Sequence, residues 1–296
     1  MGGRAGEGDM VPRFERRPIL MASSREVAYL RVRPLWAVSV VLVRGRPSEA
    51  VAMVGFTGTV AQSLVVSLLG GELHDARPKP FSVAPFFVNG RPAVDKAVAG
   101  PGDLVELRAA FAQRELAERF IAEVAKGYTL FGRRVVVEEL EFYDVFSQPL
   151  PEARCFKLEF LTPLRFAVKP LYRRKRVVFD FLPRPLTVFK SAVRHGRALG
   201  LLKLGAPFLR WVHTYVALTD FGCRGRCVVT VKLPNGGVAR GFVGWALYRS
   251  FGKRRLADLW RALRVAEAFN LGTGRGMGLG VVKAAPLNCP GRGGQK

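Results

Sequence analysis

The sequence predicts an α+β fold of two tandem ferredoxin-like halves, each ordered βαββαβ, with a glycine-rich loop near the C-terminus. Three observations lead there. Alternating or apolar β-branched runs and amphipathic stretches follow one another in the same order twice. A proline-bearing segment, "QPLPEA" at 148–153, separates the two series. The chain has 296 residues, 49% of them hydrophobic, enough to give two halves a core.

The first half opens with "LWAVSVVLV" (35–43), a buried-strand pattern. "TVAQSLVVSLLGG" (59–71) places Val60, Leu64, Ser67 and Leu68 on one helical face, and its glycine pair ends the helix. "KPFSVAPFFV" (79–88) reads as a strand closed by the turn "NGRP". "DLVELRAAFA" (103–112) alternates as a third strand. "RELAERFIAEVAKG" (114–127) is a helix with Leu116, Phe120 and Val124 on its apolar stripe. "RRVVVEELEFYDV" (133–145) completes the unit as a fourth strand.

The second half starts with the strand "CFKLEFLTPLRF" (155–166), followed by a basic insertion containing "YRRKR" (172–176). Helical spacing returns around Leu186, Phe189, Val193 and Leu201. "WVHTYVALTDF" (211–221), "CVVTVKL" (227–233) and "VARGFVGWALYR" (238–249) read as strands. "RRLADLWRALRVAEAFNLG" (254–272) is an amphipathic helix, and a last strand is expected near 280–284. The expected organisation is a flexible basic arm (1–22), a first domain (23–147), a linker (148–153) and a second domain (154–296).

The formal net charge is +24, so the surface needs an anionic partner. A phosphate backbone is the leading one, because Lys and Arg bind it by counterion release. A membrane is not expected: no apolar run spans a bilayer and no single basic amphipathic helix dominates. The N-terminal stretch lacks the apolar core of a signal peptide, so a cytoplasmic location is expected. The four cysteines, at 155, 223, 227 and 289, lack the paired spacing of a zinc site. Ordinary thiols are the simpler expectation, with a Cys223–Cys227 disulfide as the alternative. No metal or cofactor site is expected.

The stretch "NLGTGRGMGLGVVK" carries Gly272, Gly274, Gly276, Gly278 and Gly280 around Arg275. A dinucleotide fingerprint requires strand, glycines, then helix, whereas the order here is helix, glycines, strand. A Walker loop requires Lys and Ser/Thr at its end, and Lys283 is not so placed. A tight helix-to-strand crossover would need only one or two glycines. The adopted reading is a nest of backbone N–H groups that accepts phosphates, with Arg275 pairing to the same ligand.

This segment resembles the C-terminal signature of the RAMP superfamily, and more narrowly that of the CRISPR-associated endoribonucleases that process precursor CRISPR RNA. "LHDARPKPFSVAPFF", "FLTPLRF" and "RGFVGWALY" resemble further segments of that family. The similarity spans about 35–283 and implies two ferredoxin-like domains. It also implies metal-independent cleavage by 2′-OH attack, giving 2′,3′-cyclic phosphate and 5′-OH ends.

By that resemblance His74 is the general acid/base and Lys79 the cation that stabilises charge. Imidazole suits proton transfer because it ordinarily titrates near neutrality. Some members add a Tyr on the first helix; no Tyr occurs between Thr59 and Leu69. RNA contacts are expected at Arg173, Arg174, Lys175, Arg176, Lys190, Arg194 and Arg197, besides the glycines and Arg275. A phosphate contact is also credible at His195, while His213 reads as a sheet residue alternating with Trp211 and Tyr215. Lys253–Arg255, at a helix N-terminus, hint at a phosphate nearby. Repeat RNA, an interference ribonucleoprotein complex and a second copy of the chain are the expected partners. The alternative reading is a non-catalytic RNA-binding subunit of a CRISPR ribonucleoprotein.

Overall fold

The computed structural model describes residues 38–168, 177–233 and 236–289, and the backbone of Pro18–Ile19. The remaining residues, including most of the arm and Arg173–Arg176, lie outside the described set.

The first half contains β1 (Pro18–Ile19), β2 (Ser39–Pro47), β3 (Val51–Val54), α1 (Gly58–Leu69), a 3₁₀ turn (Gly71–His74), β4 (Phe81–Val83) and β5 (Phe87–Val88). It continues with β6 (Arg91–Pro92), β7 (Lys96–Ala99), β8 (Val105–Phe111), α2 (Arg114–Val124), β9 (Tyr128–Leu130) and β10 (Arg133–Asp144). Its sheet runs β1-β10-β2-β8-β5-β6, with β4 also on β8 and β9 on β10. Counting only the four principal strands, the order is 4-1-3-2 and antiparallel, which is the ferredoxin-like arrangement.

The second half contains β11 (Cys155–Leu164), β12 (Phe166–Val168), β13 (Val178–Asp180), α3 (Pro185–Ala198), α4 (Ala206–Tyr215) and β14 (Val216–Gly222). Then come β15 (Val228–Lys232), β16 (Val238–Ser250), α5 (Leu256–Phe269), a 3₁₀ turn (Arg275–Met277) and β17 (Val282–Leu287). The sheet order β14-β16-β11-β17 places the first and last strands of this half at the centre and edge, with β15 added on β16.

Three elements differ from expectation. The core face of α1 is Ala61, Val65 and Leu69, one position round from the expected face, so Val60, Leu64 and Leu68 are only partly buried and Ser67 is exposed. Residues 211–215 end a helix, α4, rather than open a strand. Trp211, His213 and Tyr215 alternate, but Phe208 and Val212 share the four-residue spacing of a helix and are both fully buried. A proline in the first turn of α4 favours that choice. His213 is therefore an exposed helix residue, not a sheet residue. The expected strand over 79–88 is two short ones, because Pro85 has no N–H for the ladder. The antiparallel pairing of β3 with β7, far apart in the chain, has no counterpart in the sequence reading.

All four cysteines are bonded, Cys155 to Cys289 and Cys223 to Cys227, which corrects the free-thiol expectation. The first pair is 134 residues apart in sequence, so only the fold reveals it. Antiparallel pairing of β11 with β17 sets Cys155 opposite Leu287, two residues from Cys289.

One face of the first sheet carries α1 and α2 over Val41, Val43, Leu107, Ala109 and Phe111. The other face is not open. Val38, Val40 and Ala110 join the core of the second half with Phe156, Phe269 and Leu263. The Arg108 guanidinium donates across this junction to the Glu267 carbonyl on α5. The two halves therefore share a core. Among the described residues no helix is long and apolar enough to cross a membrane.

Candidate RNA-cleavage site

The site candidates lie where the loop after α1 meets the loop after α5. Gly70, at φ 116°, ends α1, and the 3₁₀ turn Gly71–His74 follows with Leu73 tucked into the core. His74 is left exposed at the end of that turn. Five residues on, Lys79 turns back. Its ammonium donates to the His74 carbonyl and, at 3.4 Å, to that of Leu73. The Arg77 guanidinium donates to the same His74 carbonyl at 3.4 Å. Partial burial holds the Lys79 ammonium below the usual lysine range, and the charge of Arg77 adds to this. The sequence-predicted pair is thus brought together, with Lys79 bracing the backbone that carries His74.

The glycines each have a physical reason. Gly272, Gly274, Gly278 and Gly280 have φ between 70° and 81°, the left-handed region. A Cβ at Gly272 or Gly280 would collide with the carbonyl oxygen of Arg165 or Leu271, and at Gly278 it would lie 3.0 Å from the Pro85 nitrogen. Gly276 is different: its φ is ordinary, but a Cβ there would lie 2.9 Å from Lys79 Cδ and 3.7 Å from Gln62 Nε2. Lys79 occupies the space a side chain would have filled, so the two loops touch at this point.

Polar residues fix the junction. Thr162 Oγ1 donates to the Gly278 carbonyl and accepts from the Val281 N–H, both at 2.9 Å. The Gly280 N–H donates to the Pro163 carbonyl at 3.1 Å, so "TP" in β11 is the clasp of the glycine loop. The Asn270 amide, 2% exposed, donates to Ser82 Oγ, to the Val83 carbonyl and to the Arg275 carbonyl. Ser191 Oγ on α3 accepts from the Gly272 N–H at 2.9 Å and lies 3.4 Å from the Arg275 guanidinium. Asn270, Ser82, Thr162 and Ser191 were missed from the sequence, since each acts on residues far along the chain. Thr162 had a visible signal in the "TP" pair.

Within the loop, the N–H groups of Gly274, Arg275 and Gly276 have no acceptor among the described residues. Burial, reinforced by the charge of Arg194, pulls the Arg275 pKa down to about 10. Lys190, Arg194 and Arg197 share one exposed face of α3. Gly278 and Gly280 are buried. His195 is turned inward, 8% exposed, with its ring centroid 5.5 Å from that of Phe269. Burial, with Arg275 nearby, depresses its pKa to about 3, so it stays neutral and the phosphate contact suggested for it is corrected. Lys253–Arg255 precede α5, as expected, and Arg255 pairs with Asp258 at 3.8 Å.

The fold is thus two ferredoxin-like halves with a glycine loop clasped between them. Residues 158–282 match the family model of the CRISPR-associated endoribonuclease Cas6. The structure resembles a product complex of the Thermus thermophilus Cas6 TTHB231 with a TM-score of 0.65 at 18% identity, over 84% of this chain and 100% of that one. It resembles a Cas6-related protein from Pyrococcus furiosus with a TM-score of 0.59 at 12% identity, over 84% and 98%. A RAMP protein described as binding different RNA substrates matches with a TM-score of 0.55 at 15% identity, over 83% and 99%. No curated protein matches by sequence. The chain thus resembles Cas6 by family model in its second half and by fold across both halves.

Proposed function

We propose that this protein is a Cas6-type endoribonuclease that binds CRISPR repeat RNA and cuts precursor crRNA. The observation that carries the reading is the contact of Lys79 with Gly276, which sets the His74 loop against the three acceptor-free N–H groups of the glycine loop. A phosphate held at Gly274–Gly276 would lie beside Lys79 and in reach of the loop bearing His74. In the reaction, a base removes the proton of the 2′-OH, whose oxygen forms a new bond to the adjacent phosphorus. The bond to the 5′-oxygen breaks, and an acid returns a proton to that oxygen. His74 is assigned to proton transfer, and Lys79 with the loop N–H groups to the charge that builds on the phosphoryl oxygens. Neither role calls for a metal. The products are a 2′,3′-cyclic phosphate and a 5′-OH. Lys190, Arg194 and Arg197 on α3, with Arg173–Arg176 of the insertion, are assigned to the RNA backbone; the product would pass to an interference complex.

A second reading, a non-catalytic RNA-binding subunit, is favoured by one feature. α1 carries no Tyr, and the α1 side chain nearest Gly276 is the amide Gln62. Incubation with repeat RNA in EDTA separates the two readings: cyclic-phosphate products support the enzyme, and intact bound RNA supports the subunit. A repeat with 2′-deoxy at the cut site should bind and resist cleavage. His74→Ala should slow cutting by about 10²- to 10⁴-fold with affinity retained.

A further inference from the structure

A second surface lies at the other end of α5. Phe251, in the turn between β16 and α5, is 60% exposed, the most exposed aromatic among the described residues, and Tyr215 beside it is 44% exposed. Neither is on a loose tip. The Phe251 N–H donates to the Tyr215 carbonyl at 2.8 Å, and the buried Ser250 hydroxyl donates to the Gly252 carbonyl at 2.8 Å. Gly252 lets the backbone sit against two rings: a Cβ there would be 2.9 Å from Trp211 Nε1 and 3.0 Å from Tyr215 Cγ. From the core outward, Phe208, Trp211 and Tyr215 form a row with centroids 6.1 and 6.0 Å apart. The Arg249 guanidinium lies 5.3 Å from the Phe251 centroid.

The rim is cationic. Lys253 and Arg254, two and three residues past Phe251, are exposed, and among the described residues no carboxylate pairs with them or with Arg249. We propose that this end of the second half binds unpaired ribonucleotides, with bases stacked on Phe251 and Tyr215 and phosphates on Lys253 and Arg254 beside Arg249. The proposal rests on the RNA reading above and extends it to a separate subsite. A nucleotide supplies a π face and an anion in one unit, which this surface asks for together. An apolar protein partner would cover the rings but strip water from three unpaired cations. The surface is one helix length from the glycine loop: the 14 residues of α5 rise about 20 Å. Stacked nucleotides advance about 3.4 Å each, so roughly six must separate the two contacts.

The test is binding to a length series: repeat RNA ending at the cut site, and the same RNA with eight unpaired nucleotides added on the 5′ or the 3′ side. Cleavage is blocked by 2′-deoxy at the cut site. Phe251→Ala and Tyr215→Ala should weaken binding of one extended RNA by about 5- to 100-fold. They should leave the short RNA unchanged, and Phe251→Trp should restore wild-type affinity. Lys253→Ser with Arg254→Ser should flatten the salt dependence for the extended RNA by about 0.7 for each phosphate no longer neutralised. Extended RNA bound equally by wild type and both alanine variants would overturn the subsite and leave the surface to a protein partner. Equal weakening of short and extended RNA would also overturn it, as a folding defect. Wild type that binds no repeat RNA would instead refute the RNA reading itself.

Discussion

Replacing Gly276 and Gly280 by alanine should separate catalysis from stability within one loop. At Gly276 the added methyl would lie 2.9 Å from Lys79 Cδ and 3.5 Å from Cε, with no left-handed φ to strain. Ordinary carbon contacts begin near 3.5 Å, so the shortfall is about 0.6 Å. The flexible end of Lys79 can take this up at a cost of about 1 kcal/mol, but its ammonium then leaves the His74 carbonyl. At Gly280 the methyl would strike the Leu271 carbonyl oxygen, a backbone atom, at φ 70°. The left-handed conformation alone costs about 1–2 kcal/mol, and with the collision the loss should reach about 3 kcal/mol or more. Urea denaturation with single-turnover cleavage of labelled repeat RNA measures both quantities. Gly276→Ala should unfold near the wild-type midpoint and cut about 10- to 100-fold more slowly, short of full loss because Lys79 can re-aim. If it cuts at the wild-type rate, Lys79 does not act at the glycine loop and the proposed site is wrong.

Other expectations follow from buried or bonded groups. Because the folded His195 pKa is near 3, the unfolded chain binds a proton there first as pH drops from about 6.5. Stability should therefore fall by about 1.4 kcal/mol per pH unit between about pH 6.5 and 3, and His195→Gln should remove that slope in pH-dependent urea unfolding. Lys79 loses its proton below the usual lysine range, so cleavage should decline on the alkaline side earlier than an ordinary lysine would allow, and Lys79→Arg should shift that limb upward. Breaking Cys155–Cys289, which closes a span of 134 residues, should cost up to about 5 kcal/mol. Breaking Cys223–Cys227, four residues apart, should cost about 2 kcal/mol; paired Cys→Ala variants in thermal unfolding measure the difference.

The repeated βαββαβ order was legible because the main helices carry apolar stripes and the main strands either alternate or, as in β2, run unbroken in apolar residues. Errors arose where two periods fit the same residues. Trp211, His213 and Tyr215 satisfy alternation, and only burial of Phe208 with Val212 shows that the helical spacing prevailed. His74 and Lys79 were paired in advance through the family resemblance, which gives both roles to one short segment. What clasps the glycine loop beside them could not be read in advance. Thr162, Asn270 and Ser191 act on residues 119, 188 and 81 positions away. His195 looked like a surface cation because its neighbours on α3 are Arg194 and Arg197. Its side chain points to the opposite face of the helix, and sequence adjacency carries no information about that.

The glycine run serves mainly to dock the two halves. A Cβ at Gly58 on α1 would strike the Met277 carbonyl, Ser82 Oγ of β4 donates to the Arg275 carbonyl, and a Cβ at Gly278 would crowd Pro85. Five glycines looked excessive for a crossover between one helix and one strand. The excess disappears once the loop is seen wedged between two domains, with backbone pressed on backbone from both sides. The part that can face a ligand is narrower than the run, Gly274 to Gly276, and it is where Lys79 crosses from the other half. On the proposed reading, anion binding and proton transfer cannot be separated by moving one domain against the other. The shared core of Val38, Val40 and Ala110 with Phe269 and Leu263 holds both parts in a single frame. A cleavage site built this way gains alignment from domain docking, and so RNA length and structure, rather than domain closure, would govern which phosphate reaches His74.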